Sequence, residues 1–357
     1  MSAPDPRSLD TIWPDSRWPD SRWLDPCWMA AALALASRGL GVSTPNPSVG
    51  CVIVKDNRVI GRGWTQAGGR PHAEAMALAE AQSAARGATA YVTLEPCAHT
   101  SKRGPACADL LIAAAMRRVV VALTDPDPRT SGAGIARLTA AGLAVTTGIM
   151  ADEAARSVAG FLTRLGKGRP HVTLKLATSL DGKIATDAGE SHWITGGEAR
   201  AHGHIERART DMIIVGRGTF DADAPRLDVR LPGLETRSPR RALLTRGVAP
   251  EGWEAIASPS AITKLSGIDH IMVEGGAGAA SAFLACGLVD RLILYRAPIL
   301  IGSGKACLGD IGLATLGRAH GQWYLTDARM LGRDRLEIYE VQASVLDNPN
   351  PHTLSRG

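Results

Sequence analysis

Apolar and polar positions alternate between two periods along most of this chain. Cys27 to Ser37 is an Ala/Leu-rich stretch ending at Gly39, which predicts a helix. Two short apolar runs, Val49–Val54 and Val59–Trp64, flank Lys55-Asp56-Asn57 and predict a tight hairpin. A second helix is expected from His72 to Ala85, opened by Pro71 and closed by Gly87. Strand Ala90–Leu94, a helix over about Ala108–Met116, strand Arg118–Leu123 and one more helix–strand pair ending near residue 148 follow. Residues 151–169 read as a connecting helix and linker, running into Gly166-Lys167-Gly168-Arg169-Pro170. A second series then begins, with strands at Val172–Ala177, Met212–Val215, Ala242–Thr245, His270–Val273, Arg291–Arg296 and Leu336–Val341. Helices are expected near 196–208 and 278–286. Such alternation predicts α/β architecture with helices on both faces of a sheet.

The pattern divides the chain into a leader, 1–26, a first domain, 27–150, a linker, 151–170, a second domain, 171–342, and a tail, 343–357. Leader and tail lack periodicity and are expected to be disordered. Within the leader, Trp13-Pro14-Asp15-Ser16-Arg17 is repeated at once as Trp18-Pro19-Asp20-Ser21-Arg22, too short a repeat for a solenoid.

Composition narrows the function classes. With 45% hydrophobic and 21% charged residues, the 357-residue chain buries a real core and is not a disordered or fibrous protein. No apolar run approaches the roughly 18 residues of a membrane span. The net charge of +5 is spread without a basic run, and there are just 3 Phe and 4 Tyr, which argues against a nucleic-acid partner. A small phosphorylated substrate suits a mild positive balance. Six cysteines scattered over the chain do not form a disulfide scaffold, and the N-terminus has no secretory apolar core, so a reducing cytoplasm is expected.

The strongest chemical signal is His72-Ala73-Glu74 followed by Pro96-Cys97 and then Cys107. One imidazole and two thiolates make a catalytic zinc site with one position left open for water. Zinc lowers the pKa of that water towards ~7, and Glu74, two residues from the histidine, can carry protons without ligating. The order matches the H-x-E…P-C-x-x-C signature of zinc deaminases, except that nine residues separate the two cysteines here.

That gap, with Thr93-Leu94-Glu95-Pro96-Cys97-Ala98-His99 and Thr44-Pro45-Asn46-Pro47-Ser48-Val49-Gly50-Cys51-Val52-Ile53-Val54, resembles the deaminase half of the bifunctional deaminase–reductases of riboflavin biosynthesis. Four later segments resemble the reductase half: Leu174–Ala185, Gly189–Thr195, Gly218–Arg230 and Val273–Ala280. The resemblance spans about residues 27–341. It implies a cytidine-deaminase-like three-layer domain followed by a dihydrofolate-reductase-like α/β domain, a homo-oligomer, and zinc and NADPH as cofactors. The implied reactions are hydrolytic deamination of a diaminopyrimidinone ribosyl phosphate, then reduction of its ribosyl group to ribityl. Asn46 would contact the pyrimidine, and His99, Lys102 and Asp125 would help hold the substrate, with Glu74 as the proton shuttle. In the second half Ala177, Trp193, Thr219, Asp223, Gly276, Ala277, Gly278, Ala279 and Ala280 would line the nucleotide. Ser191, Arg207, Leu227, Arg230 and Glu274 would hold the substrate, the arginines because a guanidinium fork suits phosphate oxygens.

Three departures from the family pattern bear on this reading. The loop Thr100-Ser101-Lys102-Arg103-Gly104-Pro105 is one residue longer than usual, which leaves Lys102 and Arg103 as alternatives. Asp125-Pro126-Asp127-Pro128 replaces Asp-Pro-Asn-Pro, and a Pro-rich turn accounts equally for its aspartates. Residues 231–270 are shorter than in relatives and end their strand in Thr245-Arg246. Arg246 either pairs with the 2′-phosphate of NADPH, or cofactor binding is weakened. A deaminase carrying a scaffold reductase is therefore the first alternative, and a nucleic-acid deaminase or binding module the second.

Overall fold

The computed structural model describes residues 21–101 and 103–341. Residues 1–20, with most of the leader repeat, lie outside the described residues, as do Lys102 and the tail. The disorder expected up to residue 26 does not hold for its last residues, since Ser21–Leu24 form a 3₁₀ turn and a helix begins at Asp25. In chain order the first elements are α1 (Asp25–Ala36), β1 (Gly50–Lys55), β2 (Arg58–Trp64), α2 (Ala73–Ala81), β3 (Thr89–Val92), α3 (Cys107–Ala113), β4 (Arg118–Val121), α4 (Ala133–Ala140) and β5 (Ala144–Thr147). The expected helix Cys27–Ser37 is α1, and the expected hairpin is β1–β2, turned by Asp56 and Asn57 at φ 51° and 57°. The helix expected over His72–Ala85 instead starts at Ala73 and gives way at Ala81 to a 3₁₀ turn, Gln82–Ala85, where Gln82 takes φ 49°.

These elements form a five-stranded sheet in the order β2-β1-β3-β4-β5, antiparallel at β2-β1-β3 and parallel from β3 to β5. One face of β1 sends Val52 and Val54 to a core with Met29 and Ala32 of α1 and Tyr91 of β3. Asp25, at the start of α1, is buried beneath them, where it accepts from the Arg118 guanidinium at 3.0 and 2.7 Å and from the Tyr91 hydroxyl at 2.9 Å. On β2, Gly63 lets α2 come down onto the strand, since a Cβ there would overlap the Ala73 carbonyl oxygen.

The chain continues through α5 (Ala151–Ser157), α6 (Ala159–Lys167), β6 (His171–Thr178), β7 (Lys183–Thr186), α7 (Gly197–Ala208), β8 (Met212–Gly216), α8 (Arg217–Asp223), β9 (Arg240–Leu244) and β10 (Glu254–Ile256). It closes with β11 (His270–Glu274), α9 (Ala277–Ala285), β12 (Arg291–Arg296), β13 (Gly304–Ala306), β14 (Trp323–Leu331) and β15 (Asp334–Val341). The single connecting helix expected over 151–169 is two helices, separated at Val158, whose φ and ψ are −116° and 22°.

A second, eight-stranded sheet has the order β10-β9-β8-β11-β6-β12-β15-β14. It is parallel from β10 to β12 and antiparallel across β12-β15-β14. β7 and β13 pair separately. Val172, Leu174, Ile271 and Val273 pack on Ala279, Ala280 and Phe283 of α9. The opposite face sends Ile213, Val215, Leu243 and Met272 to Leu227.

By compactness the chain forms two units. One holds Val49–Trp64 and Ala73–Ala154 with the described residues up to Leu35; the other holds Ala155 onward with the loop segments Ala36–Ser48 and Thr65–His72. No described helix is long and apolar enough to cross a membrane.

Candidate active sites

His72 precedes α2, Cys97 lies in the loop after β3, and Cys107 is the first residue of α3. Among the described residues these three present one ligand atom each, all within 4.8 Å of one another. Ligands around a tetrahedral zinc with bonds of about 2.0–2.3 Å sit about 3.7 Å apart, so a small inward movement accommodates the ion. The donor set fits zinc: one imidazole and two buried thiols. The Cys107 amide donates to Cys97 Sγ at 3.3 Å, and the Ala108 amide to the Cys97 carbonyl at 3.2 Å, tying the loop to the helix start. The Cys107 thiol is pushed well up by its contact with Cys97, by burial and by Glu74. A bound cation reverses that balance by deprotonating coordinating thiols.

Glu74 sits on the first turn of α2, 3% exposed. Burial and the charge of Glu74 push the Cys51 thiol up as well, which puts the carboxylate within electrostatic reach of β1 and of Cys107. The Asn46 amide nitrogen donates to the Gly69 carbonyl at 2.8 Å and lies 3.1 Å from His72 Nε2, which places Asn46 against the imidazole. His99 is half-buried, its Nδ1 3.5 Å from Thr130 Oγ1. Asp125 is buried, and burial with the Asp127 and Glu95 charges raises its carboxyl to about 6.

Sequence reasoning missed Glu95 as a functional group, although it stands two residues before Cys97. Its buried carboxylate accepts four backbone amides: Gly134 and Ile135 on Oε1 at 2.9 and 3.1 Å, Gly132 and Asp125 on Oε2 at 2.9 and 3.2 Å. It thereby caps α4 and fixes the Asp125 loop against the cysteine loop. Gly134 permits the approach, because a Cβ there would overlap the Pro96 carbonyl. An acid set between an apolar run and Pro-Cys, in Val92-Thr93-Leu94-Glu95-Pro96-Cys97, was the available signal.

The second site is a cavity of about 960 Å³ at the C-terminal ends of the parallel strands, where open α/β sheets bind ligands. Ala177, Trp193, Thr219, Asp223 and Gly276–Ala279 line it. Ala280 does not: it is 1% exposed and turned into the core. Ser191, Arg207, Arg230 and Glu274 also line it, whereas Leu227 is 4% exposed in the core of the opposite face. Both departures have one cause, that an apolar side chain beside a site gains more from the core than from a wet wall. The Gly276 amide donates to Thr219 Oγ1 at 2.8 Å, joining the glycine turn to α8. Trp193 is 65% exposed and stacks under the Arg200 guanidinium at 4.8 Å.

Arg207 grips Glu274 through two hydrogen bonds of 2.7 and 2.8 Å, and Lys175 Nζ lies 3.6 Å from the same carboxylate. Burial alone would raise Glu274, but Lys175 and Arg207 outweigh it and hold the carboxyl at about 2. Lys175, His204, Arg217 and Tyr295 are wall residues that sequence reasoning did not name. A lysine between the two leucines of β6, Leu174 and Leu176, was the signal for the first of them.

A family model described as the cytidine and deoxycytidylate deaminase zinc-binding region matches residues 24–123, and one described as the RibD C-terminal domain matches 170–251 and 259–334. The riboflavin biosynthesis protein RibD of Escherichia coli strain K12 is 39% identical over 355 residues, covering 86% of this chain and 96% of that protein. The chain belongs to the RibD family. RibD of Aquifex aeolicus is 37% identical, covering 81% of this chain and 90% of its own length. Among solved structures, Acinetobacter baumannii RibD aligns with a TM-score of 0.78 at 37% identity, covering 90% of this chain and 99% of that one. The Thermotoga maritima diaminohydroxyphosphoribosylaminopyrimidine deaminase/5-amino-6-(5-phosphoribosylamino)uracil reductase aligns with 0.78 at 31% identity and the same coverage. As a RibD chain it is a bifunctional deaminase and reductase of riboflavin biosynthesis, built as a deaminase domain followed by a reductase domain and served by zinc and NADPH.

Proposed function

We propose that deamination takes place at His72, Cys97, Cys107 and Glu74, and reduction in the cavity above β6, β11, β8 and β9, on a phosphorylated diaminopyrimidinone. Convergence of the three ligand atoms within 4.8 Å is the observation that carries this reading. A zinc ion held there supplies the acidity that makes water a nucleophile at neutral pH. Glu74 takes a proton as that water adds to the amino-bearing C2 of the pyrimidinone, then returns it to the nitrogen. Ammonia leaves, and the water's oxygen stays on the ring as the carbonyl. Asn46 contacts the pyrimidine, and His99, Asp125 and Lys102 are the further substrate contacts during this exchange.

For the second step NADPH supplies the hydride, and the chain's work is orientation. The glycine turn Gly275–Gly278 receives the diphosphate at the start of α9. Ser191, Arg207, Arg230 and Glu274 hold the substrate while hydride reaches C1′ of the opened ribose and a proton completes the ribityl group. The short 231–270 stretch still contributes β9 and β10, and Leu244 of β9 lines the cavity, which supports a working reductase over a scaffold. The functional units are the domains 27–150 and 171–342, joined by 151–170. The protein works in the cytoplasm as a homo-oligomer; six thiols without a disulfide among them, and exposed Tyr324, Leu325 and Met330 on the edge strand β14, support this. The test of the site assignment is Glu74→Gln: the variant retains zinc and loses deamination by about 10²–10⁴-fold, while still reducing deaminated substrate supplied to it. Undiminished deamination would overturn the assignment.

A further inference from the structure

The 2′-phosphate that separates NADPH from NADH has no partner in the residues assigned so far. Arg246 was the sequence's candidate, but it is exposed and does not line the cavity, whereas Arg217 does. The wall follows the strand ends in sheet order, with Lys175–Ala177 on β6, Glu274–Ala279 after β11, Gly216–Thr219 after β8 and Leu244 ending β9. Three strand spacings of about 4.8 Å make this a trough roughly 14 Å long. A diphosphate on the glycine turn after β11 sits at its middle. Lys175 of β6, with Glu274 ending β11 and Arg207 of α7 gathered beside it, forms the substrate end. The adenosine half of the cofactor therefore extends over β8 and β9.

Arg217 is the cation on that part of the wall. Its Nη2 donates to the Val248 carbonyl at 2.8 Å, so the guanidinium reaches from the start of α8 to the loop that follows β9. Its carboxylate contact, to Asp221 at 3.6 Å, is between side chains 40% and 59% exposed, a geometry worth little in water. Arg207, by contrast, is engaged on both edges by Glu274 and Asp228. Arg217 thus keeps most of its five N–H donors for an incoming anion, at the place where an adenosine ribose would lie.

We propose that Arg217 reads the 2′-phosphate and makes this reductase select NADPH over NADH. The inference rests on reading the cavity as the dinucleotide site. The test is calorimetric titration of the full-length protein with NADPH and with NADH, before and after Arg217→Gln and Arg246→Gln. The unaltered chain should bind NADPH about 10- to 100-fold more tightly than NADH, as charge-assisted hydrogen bonds predict, with the ratio shrinking as salt rises. Arg217→Gln should bring that ratio to within about threefold while NADH affinity stays within about twofold, and Arg217→Lys should restore part of it. The unchanged NADH affinity also shows that the variant's cavity is folded. A ratio that survives Arg217→Gln, or one that collapses only with Arg246→Gln, overturns the proposal and leaves the cofactor site standing. Equal weakening of both dinucleotides overturns it too, because Arg217 would then hold the shared part of the cofactor. If the unaltered chain binds neither dinucleotide, the cavity reading fails and the proposal fails with it.

Discussion

Glu95→Gln preserves the shape of a buried side chain and removes the charge on which four backbone amides depend. Oε1 accepts Gly134 and Ile135, and Oε2 accepts Gly132 and Asp125, at 2.9 to 3.2 Å. A glutamine keeps one of these oxygens and turns an NH₂ group towards the other two donors. Two charge-assisted hydrogen bonds are lost at about 1.5–3 kcal/mol each, so the five-stranded unit should be weakened by about 3–6 kcal/mol. Domains have about 5–15 kcal/mol in hand, which makes this a large fraction. The carboxylate belongs to the cysteine loop itself, so zinc should also be held less tightly, and deamination should fail at denaturant concentrations where NADPH still binds. Urea unfolding followed by near-ultraviolet circular dichroism, with zinc content measured at each step, reads both effects. A change below about 1 kcal/mol with unaltered zinc retention would refute the idea that Glu95 holds the loop in place.

Three further outcomes follow from the same geometry. Asp125 is raised to about 6, chiefly by burial, so if its carboxylate contacts substrate, kcat/KM for deamination should fall as pH drops below about 6, and Asp125→Asn should remove that limb of the pH profile. Burial holds His171 down at about 3 with Nδ1 unpartnered. Between the ordinary histidine pKa of about 6.5 and about 3 the unfolded chain binds a proton that the fold refuses, so stability should fall with pH by up to about 1.4 kcal/mol per unit; His171→Leu should flatten that part of a urea-midpoint curve. Gly63→Ala forces α2 away from β2 and should cost about 1–3 kcal/mol, lowering deamination and leaving NADPH affinity unaltered, as paired activity and binding assays would read.

How much could be read from the residues depended on what each element buries. β12 appears at the bounds expected, Arg291–Arg296, because its inward and outward positions alternate clearly. β14 was missed because Trp323–Leu331 is an edge strand with most of its residues exposed, so no apolar period marks it. α8 was missed for the same reason: none of its residues is buried. Zinc chemistry was legible because ligand type and order are local properties of the chain, and the structure brings His72, Cys97 and Cys107 together. The wall of the second cavity was legible only in part. Position along a motif does not say which way a side chain turns, so Leu227 and Ala280 were taken for wall residues although they fill the core. Lys175 and Arg217 belong to the wall through strand order, which depends on parallel pairing between residues far apart in the chain.

The central claim is that one chain performs both reactions in turn. Zinc-loaded protein incubated with the diaminopyrimidinone ribosyl phosphate, with and without NADPH, and followed by mass spectrometry, tests it directly. Without NADPH the product should be the deaminated compound alone, about one mass unit heavier as NH₂ is exchanged for OH. With NADPH a further gain of about two mass units should appear as the ribosyl group becomes ribityl. Deamination in both tubes with no reduced product would contradict the account, reducing the second unit to a scaffold; no deamination by the zinc-loaded chain would remove its first half.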